Sequence, residues 1–577
     1  MLAPKYSIYL AAGDGVGFRP AVTSNPRLDA WFLNQTGVAR MYVANPPVSI
    51  FHAELILEEL NRIAAPLNPV TFDRYLIPIF RRTIPGVVPL INEYDTLELG
   101  VEFSLLPELE QLISGRCLLG TELPDLLAAS GIDVPWNPED WMQALYLHSL
   151  VRREASVAQD AFGVPYCRRC GATNGIYEDN CLFCGNRHCF TCSNCRSMGQ
   201  AKSCIPLYFQ HASIQALHQP PIKPMLEFEL TPPQQNASTE LLKFLEGGGR
   251  EFLVWAVCGG GKTEVSFSAV AWVLSLGGKV LIAIPRKDIV QELLPRFQKA
   301  FPDQTIAALY GGGERFSDAS LVIATTHQCL RFYRAFDLVI LDEGDAFPYF
   351  GSEFLHFAVK RALKPAGRLV VMTATPDRAL IARTERGALP KVLIPARYHR
   401  QPLIVPEYKR WSLKRPEPGR EWNPSSEFRC FLEESWGAGR KVLIFLPTVP
   451  AVEEVGQALC RWAGNHGRSG EYVHARIAGR EELKNSLARG ELNFLVTSTI
   501  FERGITLPNL DVVVLNADYE RIFDVRTLIQ IAGRAGRIGD QARVVFAGSR
   551  ETGSMKQAVR WIRFMNKVGL EQGFLTD

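Results

Sequence analysis

The stretch Ala256-Val-Cys-Gly-Gly-Gly-Lys-Thr263 constrains this 577-residue chain more than any other. In front of it the apolar run Phe252 to Val257 reads as a buried strand, and behind it Lys262 to Leu276 reads as a helix. Strand, glycine loop and helix start together make a phosphate cradle. Glycines let backbone N–H groups crowd around an anion, and the helix dipole adds positive potential. A glycine-rich loop alone says little, but here the full A-x-x-G-x-G-K-T spacing is present in the right context. It assigns Gly259, Gly260 and Gly261 to the cradle, Lys262 to the β and γ phosphates of a nucleotide, and the Thr263 hydroxyl to Mg²⁺.

A strand feeding such a loop belongs to a parallel sheet, and the downstream pattern agrees. Val280 to Ile284, Leu321 to Thr325, Leu338 to Leu341 and Leu369 to Met372 are short apolar runs, each closed by a break or a polar cluster. The third runs into Asp342-Glu-Gly-Asp345. An acidic loop by itself is usually solvated surface. In one sheet with a phosphate loop, Asp342 can hold Mg²⁺ through water and Glu343 can polarise the attacking water.

A second alternation starts near Lys441 with Val442 to Leu446, Phe494 to Thr497, Val512 to Leu515 and Val544 to Phe546, and has no phosphate loop. It carries Gln530-Ile-Ala-Gly-Arg-Ala-Gly-Arg537. There Arg534 and Arg537 share one face if the segment opens a helix, and can neutralise a γ phosphate across a cleft. Upstream, in Leu230-Thr-Pro-Pro-Gln-Gln235, a glutamine amide matches the donor and acceptor edge of adenine. Gln234 and Gln235 compete for that role.

Eight of the thirteen cysteines lie between Cys167 and Cys204, as Cys167, Cys170, Cys181, Cys184, Cys189, Cys192, Cys195 and Cys204. Thiolate pairs two residues apart can face one ion, and two pairs complete a tetrahedral zinc site, so eight suffice for two ions. An iron–sulfur cluster is the alternative chemistry for the same ligand type. His188 adjoins the cluster and reads as a solvated side chain. The net charge of +3 does not announce a nucleic-acid binder, although residues 161–212 hold five basic and two acidic side chains. Arg168, Arg169, Arg187 and Arg196 in that segment can grip a phosphate backbone or brace the neighbouring domains.

No run of eighteen apolar residues and no signal-peptide pattern is present, which leads us to expect a soluble intracellular chain. Residues 1–160 mix helix-like and strand-like segments without nameable chemistry. Asn137-Pro138-Glu139-Asp140 is a helix start within them.

With these motifs in hand the chain resembles the superfamily 2 helicases and, among them, the ComFA family of late competence proteins. The likeness spans about Leu230 to Ala547. It rests on LTPPQ ending at Gln234, GGGKTE through Glu264, Pro285-Arg286, TTHQ at 325–328, DEGDAFPY at 342–349, Thr373-Ala-Thr375, TSTIFERGIT at 497–506 and QIAGRAGR ending at Arg537. Subfamily membership rests on the AFPY extension, on Ala396-Arg-Tyr-His-Arg-Gln-Pro402 and on cysteines placed before the first lobe. The resemblance implies an α/β protein with two RecA-like parallel-sheet lobes, at about 225–400 and 401–577. A cysteine-rich zinc module at 161–212 precedes them, and ahead of it we expect an N-terminal α+β domain at 1–160, whose role the resemblance does not explain.

It further implies ATP, Mg²⁺ and zinc, and ATP-driven movement along single-stranded DNA during uptake of transforming DNA. The setting would be the cytoplasmic face of the membrane, beside other uptake proteins. It assigns Gln234 to adenine, Glu264 to the nucleotide site, and Thr373 and Thr375 to coupling. Arg286, Thr326, Thr448 and Thr499 are assigned to the DNA backbone. Two features depart from the family. Gly344 replaces a larger residue, and the family pattern has four cysteines, so a single zinc does not account for eight. A PriA-like replication-restart helicase is the nearest alternative, but such chains carry their zinc ligands inside the helicase part. A zinc-containing nucleic-acid scaffold with weak ATPase is a second alternative.

Overall fold

Seven parallel strands surround the glycine loop. The computed structural model of the chain describes residues 5–13, 16–35, 38–63, 67, 69–84, 90–95, 105–132, 137–212, 220–314, 316–411, 422–477, 479–502, 507–538 and 541–576. In the first lobe these are β1 (Glu251–Ala256), β2 (Val280–Ile284), β3 (Ile306–Leu309), β4 (Leu321–Thr325), β5 (Phe336–Asp342), β6 (Leu363–Thr373) and β7 (Lys391–Ile394). They lie in the order β3-β4-β2-β5-β6-β1-β7, and every pairing is parallel. Helices α1 (Pro232–Glu246), α2 (Lys262–Ser275), α3 (Lys287–Ala300) and α4 (Glu353–Ala362) accompany the sheet. Successive β1 residues fall on opposite faces: Leu253 and Trp255 enter one core, Phe252 and Val254 the other.

The second lobe repeats the plan with β8 (Glu407–Lys409), β9 (Lys441–Phe445), β10 (Gly470–Val473), β11 (Phe494–Thr497), β12 (Leu510–Val514) and β13 (Val544–Ala547). Their order is β8-β13-β12-β9-β11-β10, again all parallel. Helices α5 (Val449–Gly464), α6 (Val525–Ala532) and α7 (Gly553–Glu571) belong to this lobe. Because β5, β6 and β1 are neighbours and parallel, Asp342, Thr373 and the glycine loop all emerge at one edge of the sheet. That edge, at the carboxyl ends of the strands, is where open α/β sheets bind ligands.

Ahead of the lobes, four antiparallel strands, Val16–Thr23, Ser7–Gly13, Val38–Asn45 and Leu90–Asp95, form one sheet in that spatial order. Helices between the strands give the expected α+β character. The helix foreseen from Asn137 runs over Pro138–Leu147, with the Asn137 side chain accepting from the Glu139 N–H. A three-stranded sheet then places Pro206–Phe209 between Cys117–Leu119 and Arg152–Ala155. Strands on both sides of the cysteine segment share this sheet, so the segment hangs from it as an elaborated loop.

A buried ion triad ties these parts to the first lobe. Glu122 meets Arg169 of the cysteine segment through Oε2 (2.9 Å) and Arg331 of the first lobe through Oε1 (2.9 Å), and it also accepts from the Leu119 N–H (3.0 Å). Removing one partner strands buried charge. Glu122→Ala is therefore expected to lower unfolding stability by about 3–5 kcal/mol, read by denaturant titration. A loss below about 1 kcal/mol, the range of exposed pairs, would contradict the triad's structural weight.

Candidate nucleotide cleft and metal centres

The chain turns out of β1 into a loop whose shape glycine permits. Gly259 and Gly261 have φ of +80° and +74°, a region costly for residues with a Cβ. A Cβ on Gly261 would also strike Gln234 Nε2. Gln234 is buried, donates to the Gly260 carbonyl (3.1 Å) and accepts from the Thr231 N–H (2.9 Å), whereas Gln235 is exposed. Of the two glutamines, only Gln234 stands at the loop. Lys262 and Thr263 open α2, so their side chains start at the positive end of its dipole. Glu264, one residue on, is held by an ion pair to Arg296 of α3 and thus braces the helix beside the cradle.

Lys262 Nζ lies 3.3 Å from Asp342 Oδ1 at the end of β5. Burial is the largest influence on both groups. It pushes the Asp342 carboxyl up, and it pulls the Lys262 ammonium down, but Asp342, Glu343 and Asp345 outweigh it and leave Lys262 raised. Glu343 has φ of +57°, a left-handed conformation that a non-glycine residue adopts at a cost. Its N–H bonds both the Asp342 carboxylate (2.9 Å) and the Met372 carbonyl (3.0 Å), which fixes the acidic loop against β6.

The second lobe closes on this edge. Arg537 Nε would stand 3.6 Å from a Cβ on Gly259, and a Cβ on Gly533 would meet the Cys258 Cβ at 2.6 Å, so the turn after α6 packs directly on the glycine loop. Burial lowers the Arg537 guanidinium, while Cys258 and Glu343 pull it the other way, which places it in the field of the acidic loop. Arg534 is 3% exposed and donates to the Gln530 carbonyl (3.3 Å). One expectation is corrected. Helix α6 ends at Ala532, so Arg534 and Arg537 lie in turns beyond its carboxyl end and do not open a helix.

Asp345 received no role from sequence, yet it joins the lobes. It accepts from Thr373 Oγ1 (2.7 Å), Thr375 Oγ1 (2.5 Å) and Gln530 Nε2 (3.3 Å), and Gln530 Oε1 accepts from the Cys258 thiol (3.1 Å). A glycine-loop residue, both threonines of the Thr-Ala-Thr motif and the second lobe thus share one polar chain. Its signal in the sequence was the fourth residue of the Asp342–Asp345 motif.

The eight cysteines sort into two sets, Cys167, Cys170, Cys192 and Cys195, and Cys181, Cys184, Cys189 and Cys204. Within each set all sulfurs lie within 4.8 Å of one another. Sγ pairs stand at 3.8 Å (Cys167 and Cys195), 3.7 Å (Cys170 and Cys192) and 3.7 Å (Cys181 and Cys204). A tetrahedron with metal–sulfur bonds of about 2.3 Å has edges of about 3.8 Å. Each set therefore fits one ion, which disfavours a multi-iron cluster with thiolates on separate irons. The sets interleave along the chain, so the hairpin of Ile176–Asp179 and Cys189–Cys192 belongs to both. His188 is exposed and pairs with Glu178 (2.6 Å), outside either set. Arg168 (on Glu54, 2.7 Å) and the fully buried Arg169 brace the fold, while Arg187 and Arg196 are exposed.

The residues expected to touch DNA follow the strands β2 (Arg286), β4 (Thr326), β9 (Thr448) and β11 (Thr499). All four thus sit at carboxyl ends of parallel strands, neighbouring in each sheet. Arg286 precedes α3 and pairs with Asp288 (2.8 Å), Thr448 caps α5, and Thr499 is partly buried. Thr326 departs from expectation: it is fully buried and its N–H bonds the Ile284 carbonyl (2.9 Å), so it packs inside the lobe. Residues 503–506 of the TSTIFERGIT run lie outside the described residues.

Among known families, the one described as Competence protein ComFA N-terminal domain matches residues 103–209. Type III restriction enzyme, res subunit, matches residues 227–378, and Helicase conserved C-terminal domain matches 427–539. The competence protein ComFA of Bacillus subtilis is 35% identical over 469 residues, covering 81% of this chain and 96% of that protein. ComFA of Streptococcus pneumoniae is 34% identical over 415 residues, with 70% and 91% covered. The replication restart protein PriA of Bacillus subtilis is 22% identical over 376 residues, with 50% and 46% covered. Among the described residues no helix is long and apolar enough to cross a membrane.

Proposed function

The chain belongs to the ComFA family of competence proteins, and from that premise we infer a motor that moves along single-stranded DNA and powers uptake of transforming DNA. It is a competence-associated, ATP-dependent helicase. The observation that carries the motor reading is the composite cleft: Arg537 of the second lobe stands against Gly259 of the first. A nucleotide in the cradle would touch both lobes, so its cleavage alters how they hold each other.

In this reading Lys262 exchanges Asp342 for the β and γ phosphate oxygens, and the glycine-loop N–H groups complete the cradle. Thr263 and Asp342 would hold Mg²⁺, which when bound would neutralise charge on those phosphates. Glu343 orients the attacking water, and Arg537, with Arg534 behind it, stabilises negative charge on the transferring phosphoryl group. Gln234 presents its amide to adenine. Asp345 relays closure from Gln530 to Thr373 and Thr375. From those motifs closure reaches Arg286, Thr448 and Thr499, which contact phosphate and therefore tolerate any sequence. The two cysteine sets hold zinc as structural ions, and the protein works with other uptake proteins at the inner face of the membrane.

The test is steady-state ATP hydrolysis by the purified chain with single-stranded DNA, duplex DNA or RNA. We expect single-stranded DNA to raise turnover at least about tenfold, a difference of about 1.4 kcal/mol in barrier. Greater stimulation by RNA, or none by any polymer, would overturn the reading.

A further inference from the structure

Arg397 lies in the segment that leaves the first lobe after β7 and enters the second at β8, and it is 2% exposed. Its guanidinium donates to four backbone carbonyls. Nε reaches Cys258 in the glycine loop (3.1 Å), Nη1 reaches Ala535 and Gly536 (2.7 Å each), and Nη2 reaches Gly533 (3.0 Å). One edge of the fork thus holds the cradle of the first lobe, and the rest holds the turn bearing Arg534 and Arg537. The three carbonyls of that turn converge past the negative end of α6, where no helical N–H remains to meet them. A planar cation with five fixed donors suits such a cluster; a lysine, with one compact charge, cannot span it.

The register of Arg397 is set by the cradle's own strand. β7 pairs with β1, and the Val257 N–H bonds the Ile394 carbonyl (3.0 Å) three residues before Arg397. Arg397 also shares an acceptor with Arg537, whose Nε donates to the same Gly533 carbonyl (3.1 Å). Both side chains reach the glycine loop, at 3.8 Å and 3.6 Å from a Cβ on Gly259.

We propose that Arg397 is the positioning residue that holds the Arg537 turn over the glycine loop, so that the arginine's contribution to ATP hydrolysis depends on it. This rests on the reading that Arg537 acts on the γ phosphate. Arg397 itself grips backbone and needs no contact with nucleotide.

The test compares wild type, R397A, R397K, R537A and R397A/R537A as full chains. Turnover is measured with saturating single-stranded DNA, alongside affinity for a fluorescent ATP analogue and thermal unfolding. R397A is expected to lose about 100-fold in turnover, the size of a small misplacement of a reacting partner. Analogue affinity should fall far less than turnover, because R397A removes one bond to the Cys258 carbonyl and leaves Gly259 to Thr263 in place. R397K should restore only part of the loss. The double variant should be no slower than R537A, since residues acting as one unit do not add. A double variant slowed by the product of the single losses, or R397A with wild-type turnover, would overturn the proposal. Wild-type turnover in R537A would instead sink the assignment of Arg537. Should R397A not fold, R397K and R397K/R537A make the same comparison.

Discussion

Lys262→Ala should keep its fold and lose ATP hydrolysis by about three orders of magnitude, the upper range for removing one donor aimed at developing charge in a closed site. The ammonium faces Asp342, Glu343 and Asp345, a cluster of carboxylates that no polyphosphate would approach without a cation between them. Removing it leaves Asp342 buried, where its carboxyl is already pushed upward and can take a proton, so the sheet edge need not unravel. Circular dichroism should therefore match wild type while turnover collapses. Hydrolysis within about tenfold of wild type, a change of only about 1.4 kcal/mol, would mean that the cradle is not built around this lysine.

Stripping metal should be nearly as severe, but through folding. A structural zinc site contributes about 10–16 kcal/mol of apparent binding energy, comparable to the whole stability of a domain at about 5–15 kcal/mol. Loss of the set containing Cys167 and Cys170 would also reach the motor. A Cβ on Gly171 of that knuckle would meet the Phe357 ring at 2.7 Å, Arg361 of α4 donates to the Arg168 and Arg169 carbonyls, and Arg169 feeds the Glu122 triad. We expect two ions per chain by elemental analysis. Because the hairpin serves both sets, C167S/C170S should drop metal content below one ion per chain. Chelation should open residues 161–209 to protease. A single ion in wild type, or a protease pattern unchanged by chelator, would refute the two-site arrangement.

The strands that were legible in the sequence share one physical trait. β2, β4 and β11 fall where their apolar runs put them, because strands covered on both faces read as continuous hydrophobic stretches. The four lobe strands that no apolar run marks, β3, β7, β8 and β10, are the edges of the two lobe sheets. They are three or four residues long, and their exposure alternates along the strand or stays high, so no uninterrupted apolar run marks them. The boundary expected near residue 160, where nameable chemistry begins, cuts across the sheet that Pro206–Phe209 completes, since pairing between distant strands leaves no local signature.

The sequence by itself determined which residues are candidates: the glycine loop from Gly259 to Thr263, the acids that follow β5, eight cysteines in knuckle spacing, and the arginines of the GRAGR segment. Each is a contiguous motif whose function lies in its own residue types and local backbone. Only the tertiary structure decided how the thiolates divide into two interleaved sets, that Arg534 and Arg537 trail a helix rather than lead one, and that Asp345, Gln530 and Arg397 knit the lobes. Those facts depend on which carbonyl or sulfur from a distant segment arrives within a few ångströms. Such proximity is a property of packing between elements, for which no single stretch of chain carries the instruction.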